Sequence, residues 1–132
     1  MNKHFLPVGL FLLLFIPYFL SAQQNKLCPH EIDKKAEKTL EQAKDTWKKS
    51  RNYETVRELV DKAIDMDPEY IDAYYFLGTC AIKKHDDKNL EIAFLKVAEL
   101  CPDYDAEVFF QLGWLYFDTK KYKEAEKYLK KF

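Results

Sequence analysis

Apolar residues in this chain recur at three- and four-residue spacings in six stretches, each closed by a short polar or proline-containing break. The first runs from about Ile32 to Ser50, with Ile32, Ala36, Leu40, Ala43 and Trp47 on one face and Lys, Glu, Asp and Gln elsewhere. Pro29 before it suits a first helical turn, and Glu31 and Asp33 suit the positive end of the helix dipole. Ser50-Arg51-Asn52 reads as a turn. Tyr53 to Met66 is striped by Val56, Leu59, Val60, Ala63 and Ile64, and Asp67-Pro68 ends it because a residue before proline avoids the helical region. Ile71 to Lys84 turns Tyr74, Leu77, Gly78 and Ala81 inward. Asn89 to Leu100 does so with Leu90, Ala93, Phe94, Val97 and Ala98. Ala106 to Thr119 is the fifth stretch, and Tyr122 to Phe132, with Tyr122, Ala125, Tyr128 and Leu129, is the sixth. The pattern predicts an all-α chain of six helices.

The N-terminus follows another rule. Lys3 precedes an apolar run from Phe5 to Leu20, and Ser21-Ala22 then offers a small residue at a cut site. The run is shorter than the ~20 residues a spanning helix needs, and Pro17 breaks it. Residues 1–22 are therefore expected to be a secretory signal, with an uncleaved anchor as the alternative. Residues 23–36 form a leader and the start of the first helix.

Two of the helical stretches resemble each other closely. Tyr74-Tyr75-Phe76-Leu77-Gly78 and Phe109-Phe110-Gln111-Leu112-Gly113 share the form aromatic-x-x-Leu-Gly, with the Leu-Gly pairs 35 residues apart. A period of this size, each unit holding two helical patterns, marks a stacked array whose units complete one another's apolar faces.

These residues resemble the tetratricopeptide (TPR) repeat family, whose signature is aromatic-x-x-Leu-Gly-x-x-Tyr, then Ala-x-x-x-Phe, then Pro. Residues 71–105 match through Tyr74, Leu77, Gly78, Ala81, Leu90, Phe94 and Pro102. Residues 106–132 match through Phe109, Leu112, Gly113, Tyr116, Ala125 and Leu129. Residues 37–70 form a degenerate first unit: Leu40, Ala43, Lys44, Trp47, Val56, Val60 and Pro68. Lys44 replaces the usual glycine and Leu90 the usual alanine, so looser helix packing is expected at both. The resemblance implies a right-handed helical solenoid and a non-catalytic protein-binding role. The signal-like start before such units also resembles N-terminal modules of Bacteroidota envelope proteins serving type IX secretion. That likeness implies an exported, periplasmic or outer-membrane-associated chain.

Composition narrows the function. Lys and Arg (21) nearly balance Asp and Glu (22), so no single-sign field invites nucleic acid or an anionic membrane. No phosphate loop, zinc-protease motif or calcium loop occurs. No cofactor, metal, catalytic residue or small-molecule substrate is therefore expected. Cys28-Pro29-His30 lacks the further ligands zinc requires. Of the three cysteines, Cys80 and Cys101 are expected to lie too far apart to bridge and to act as small buried hydrophobes. An odd count leaves at least one thiol unpaired within the chain.

What remains is a partner surface. In TPR stacks the first helix of each pair lines a concave face. Helical spacing selects Glu41, Asp45 and Lys48, then Tyr75, Thr79 and Ile82, then Phe110, Trp114 and Phe117. Tyr75, Ile82, Phe110, Trp114 and Phe117 are the expected contacts for a protein or peptide partner. The alternative makes Phe110, Trp114 and Phe117 core to a further helix. The acidic Glu41 and Asp45 argue against clamping a C-terminal carboxylate. The chain ends within the last helix of the third unit. Either it is a fragment, which is the favoured reading, or Tyr128, Leu129 and Phe132 are covered by self-association. Membrane association is expected only through a partner or an uncleaved signal.

Overall fold

The computed structural model describes residues 28–132, so the expected signal segment lies outside the described residues. Six helices follow: α1 Lys34–Ser50, α2 Tyr53–Met66, α3 Ile71–Lys84, α4 Asp87–Leu100, α5 Ala106–Asp118 and α6 Tyr122–Leu129. Among the described residues there is no strand. The helices pair as three hairpins, α1 with α2, α3 with α4 and α5 with α6, and α2–α3 and α4–α5 contacts stack the hairpins in order.

The helix ends follow local chemistry. Asp33 caps α1 by accepting from the Lys35 and Ala36 amides at 2.8 and 3.0 Å. Asn52 caps α2, Asp86 caps α4 and Asp105 caps α5 in the same manner. The side chain of Asp33 thus sets the start of α1 later than the expected Ile32, and Pro29 falls before the helix. The final helix stops at Leu129 rather than continuing to Phe132. Arg51, His85 and Lys120 turn the chain out of α1, α3 and α5 with positive φ, a conformation usually given to glycine.

Two cores fill the stack. The first joins Leu40, Val56, Val60, Leu77 and Cys80, the second Phe94, Val97, Val108, Leu112 and Tyr116. Tyr53 and Ile64 pack against both, so the two cores are continuous. The two glycines of the repeated stretch sit where helices touch. A Cβ on Gly78 would lie 2.2 Å from Phe94 Cε1, and one on Gly113 2.6 Å from Leu129 Cγ. The looser packing expected at Lys44 is not found. Ala36, Ala43 and Ala63 are fully buried and bring α1 and α2 together, while Lys44 turns aside to meet Glu41 at 2.8 Å. Leu90 is likewise buried.

The cysteines correct one expectation. Cys101 is no isolated small hydrophobe but is bonded to Cys28 across 73 residues, with Cα atoms 5.8 Å apart. Cys80 is the free, buried thiol. The N-terminal segment runs past equivalent positions of two successive units. His30 Nε2 donates to Asp67, the C-cap of α2, at 2.8 Å, and Cys28 joins Cys101, the C-cap of α4. This segment is a strap along the turns between units.

Candidate protein-binding surface

Helix α5 presents the most exposed aromatic surface. Its inward stripe, Val108, Phe109, Leu112, Gly113, Leu115 and Tyr116, is buried, so Phe110, Trp114 and Phe117 fall on the opposite side of the helix. Trp114 keeps 58% of its surface exposed and Phe117 50%. Their rings stack at 5.8 Å, and Phe117 meets the edge of Tyr122 at 5.8 Å. Phe110 is half-buried under Phe132 at 5.1 Å. An aromatic strip of Trp114, Phe117 and Tyr122 therefore runs from α5 onto α6, with Phe110 and Phe132 as a separate pair.

The five expected contacts divide within this geometry. Trp114 and Ile82 are brought together, lining a cleft between α3 and α5 with Leu115 and Gln111. Phe117 faces a second, apolar cleft with Tyr122, Ala125 and Leu129 on the outer side of the last hairpin. Tyr75 stands apart. It is half-buried against Phe94 and Tyr104, and its hydroxyl donates to Asp105 at 2.6 Å. Burial, and then that bond, push its ionisation well above the usual phenol range. Thr79 donates to the Phe76 carbonyl at 2.8 Å. Glu41, Asp45 and Lys48 remain exposed on α1.

The hydroxyl of Tyr75 belongs to a set of links that periodicity did not reveal. Tyr53 donates to Asp86 at 2.9 Å, joining the first hairpin to the second, and Tyr104, in the turn before α5, donates to Asp72 at the start of α3 at 2.5 Å. Their separations of 33 and 32 residues lie close to the repeat period. Tyr122, read as an inward residue, is instead exposed and extends the aromatic strip. A tyrosine opening a short helix beside a two-lysine turn carries no sign of which way it faces.

Nucleophilic chemistry has little support at the free thiol. Burial pushes the Cys80 thiol up to about 11, so it stays protonated and shielded. Among the described residues, no group of three or more His, Cys, Asp or Glu is placed to hold a metal ion. No described helix is long and apolar enough to cross a membrane.

No curated protein matches this chain. Residues 106–132, the hairpin that carries the aromatic strip, match the family model for the tetratricopeptide repeat. With three stacked hairpins and glycines at the close helix contacts, the described fold is an all-α TPR-type solenoid containing a TPR repeat.

Proposed function

We propose that this chain is a non-catalytic protein-interaction scaffold, exported to a bacterial envelope, that holds a partner protein or peptide against its concave face. The observation that carries this reading is the exposed, mutually stacked pair Trp114 and Phe117 beside the Ile82 cleft. Contiguous exposed aromatics mark partner sites, and tryptophan is prominent among residues that dominate binding. Ile82, Phe110, Trp114 and Phe117 would supply the contacts, with Tyr75 bracing one side. The signal-like residues 1–22 and the likeness to Bacteroidota modules support the location and a place in a secretion or cell-envelope complex. Pull-down from envelope extract tests the scaffold. Trp114→Ala with Phe110→Ala should abolish partner capture while the helical circular dichroism stays unchanged, and undiminished capture would refute the assignment.

A second reading, a homo-oligomer, is favoured by the apolar cleft of Phe117, Tyr122, Ala125 and Leu129 on the outer face of the last hairpin. Light scattering decides it, because a monomer at high concentration excludes assembly through that face.

A further inference from the structure

A polar cleft of ≈ 190 Å³ lies between the N-terminal strap, the first half of α1 and the start of α3. Carboxylates dominate its wall: Glu37, Glu41, Glu69 and Asp72, against Lys44 and His30. Lys44 is paired with Glu41 at 2.8 Å, and His30 is held by Asp67 at 2.8 Å with Glu69 at 3.4 Å. Glu37 and Asp72 have no basic partner among the described residues, although Asp72 accepts from Tyr104.

Tyr70 supplies an observation independent of the acidic wall. Its side chain is only 3% exposed. Its hydroxyl has no hydrogen-bond partner among the described residues. Every side-chain nitrogen or oxygen there that is wholly closed to solvent has one. The Tyr70 oxygen therefore keeps an opening, and the cleft it lines is that opening. Burial, followed by the charges of Asp72, Glu37 and Glu41, holds its proton in place. The cleft thus offers an uncharged oxygen that has no protein partner among the described residues and stands among carboxylates, an arrangement that suits a ligand rich in donors and positive charge.

We propose that this cleft seats an arginine side chain of an extended partner segment. The guanidinium donates to Tyr70 Oη and to the carboxylates of Glu37 and Asp72, and its stem lies on Ile71. The volume is below the ~300 Å³ at which small-molecule pockets begin, which suits one long side chain. A planar fork of five donors matches several separated acceptors better than an ammonium does, and it loses less hydration. The strap closes one side, held by the Cys28–Cys101 bond and the His30–Asp67 contact. The proposal rests on the scaffold reading and specifies what one region of its surface recognises.

The test uses the chain with its disulfide formed, titrated with acetyl-Gly-Arg-Gly-amide and followed by amide NMR. Shifts should centre on Glu37, Tyr70 and Asp72. The same peptide with citrulline, which keeps the shape and loses the charge, should bind at least roughly tenfold more weakly. Tyr70→Phe removes only the hydroxyl and should weaken arginine binding by a similar factor. Glu37→Gln, on the exposed side of α1, provides a second variant that leaves the core untouched. Equal affinity for the citrulline peptide, shifts centred elsewhere, or indifference to both substitutions would overturn the proposal. If the arginine peptide fails here while Trp114→Ala still abolishes partner capture, the cleft assignment falls and the scaffold stands. If the peptide binds and capture ignores Trp114, the aromatic surface falls instead.

Discussion

The ring of Phe94 fills the space that any side chain on Gly78 would occupy, and this one contact sets how closely α3 and α4 approach. Phe94 is fully buried and cannot swing aside. Gly78→Ala should therefore lose about 1–3 kcal/mol to overpacking, offset by at most ~1 kcal/mol of helix propensity. Gly113 faces Leu129, whose side chain is partly exposed but whose backbone nitrogen would also lie 3.3 Å from the added Cβ. Gly113→Ala should therefore destabilise, but by less than Gly78→Ala, because the outer end of the Leu129 side chain can yield toward solvent. Parallel thermal melts of the two variants check the contrast, and equal losses would contradict it.

Cys28→Ser should cost about 2–4 kcal/mol, because the bond closes a long loop and restricts the unfolded chain. Cys28 precedes α1, so helical content should be retained. Denaturant titration with and without a reducing agent measures the effect. The parent should fall to the variant's midpoint on reduction, and the variant should not respond.

Asp67 ties acid stability to the strap. Burial alone would raise its ionisation. The Asp33 amide, His30 and the Glu69 amide outweigh burial and hold it below the ordinary aspartate value. A carboxyl lowered in the folded state stabilises fully above its unfolded value of about 3.9. That contribution disappears as pH falls through the folded value. Asp67→Asn should be less stable at neutral pH and should lose less stability than the parent on acidification below about pH 4. Urea midpoints across that range provide the measurement.

Lys120 leaves α5 at φ 60° with its side chain in solvent. A non-glycine residue there costs about 1–2 kcal/mol of backbone strain. Lys120→Gly should recover roughly 1 kcal/mol and raise the melting temperature by a few degrees. An unchanged or lowered melt would contradict the assignment of strain.

Much of the fold was legible because it is written locally. Leu77-Gly78 and Leu112-Gly113 announce close helix contacts, and Pro68 and Pro102 announce turns. The outward register of Trp114 and Phe117 follows from helical spacing, and both are exposed. Contacts between distant segments were not legible. Nothing near Cys28 indicates that its partner lies two units away, since pairing depends on where the leader runs. The same holds for Tyr53 with Asp86 and Tyr75 with Asp105, in which a capping aspartate accepts a second bond from the preceding unit. Tyr70 and Tyr104 had a faint signal, each standing two residues after a turn proline. That recurrence marks the position without revealing that one hydroxyl is bonded to a carboxylate and the other opens onto a cleft.

The covalent closure between Cys28 and Cys101 encircles the first two hairpins and leaves α5 and α6 outside the ring. Under tension applied at residues 28 and 132, the encircled part transmits load through sulfur and cannot lengthen. Only the segment after Cys101 can be drawn out, so mechanical extension would unravel the aromatic hairpin while the rest of the molecule acts as a rigid tether.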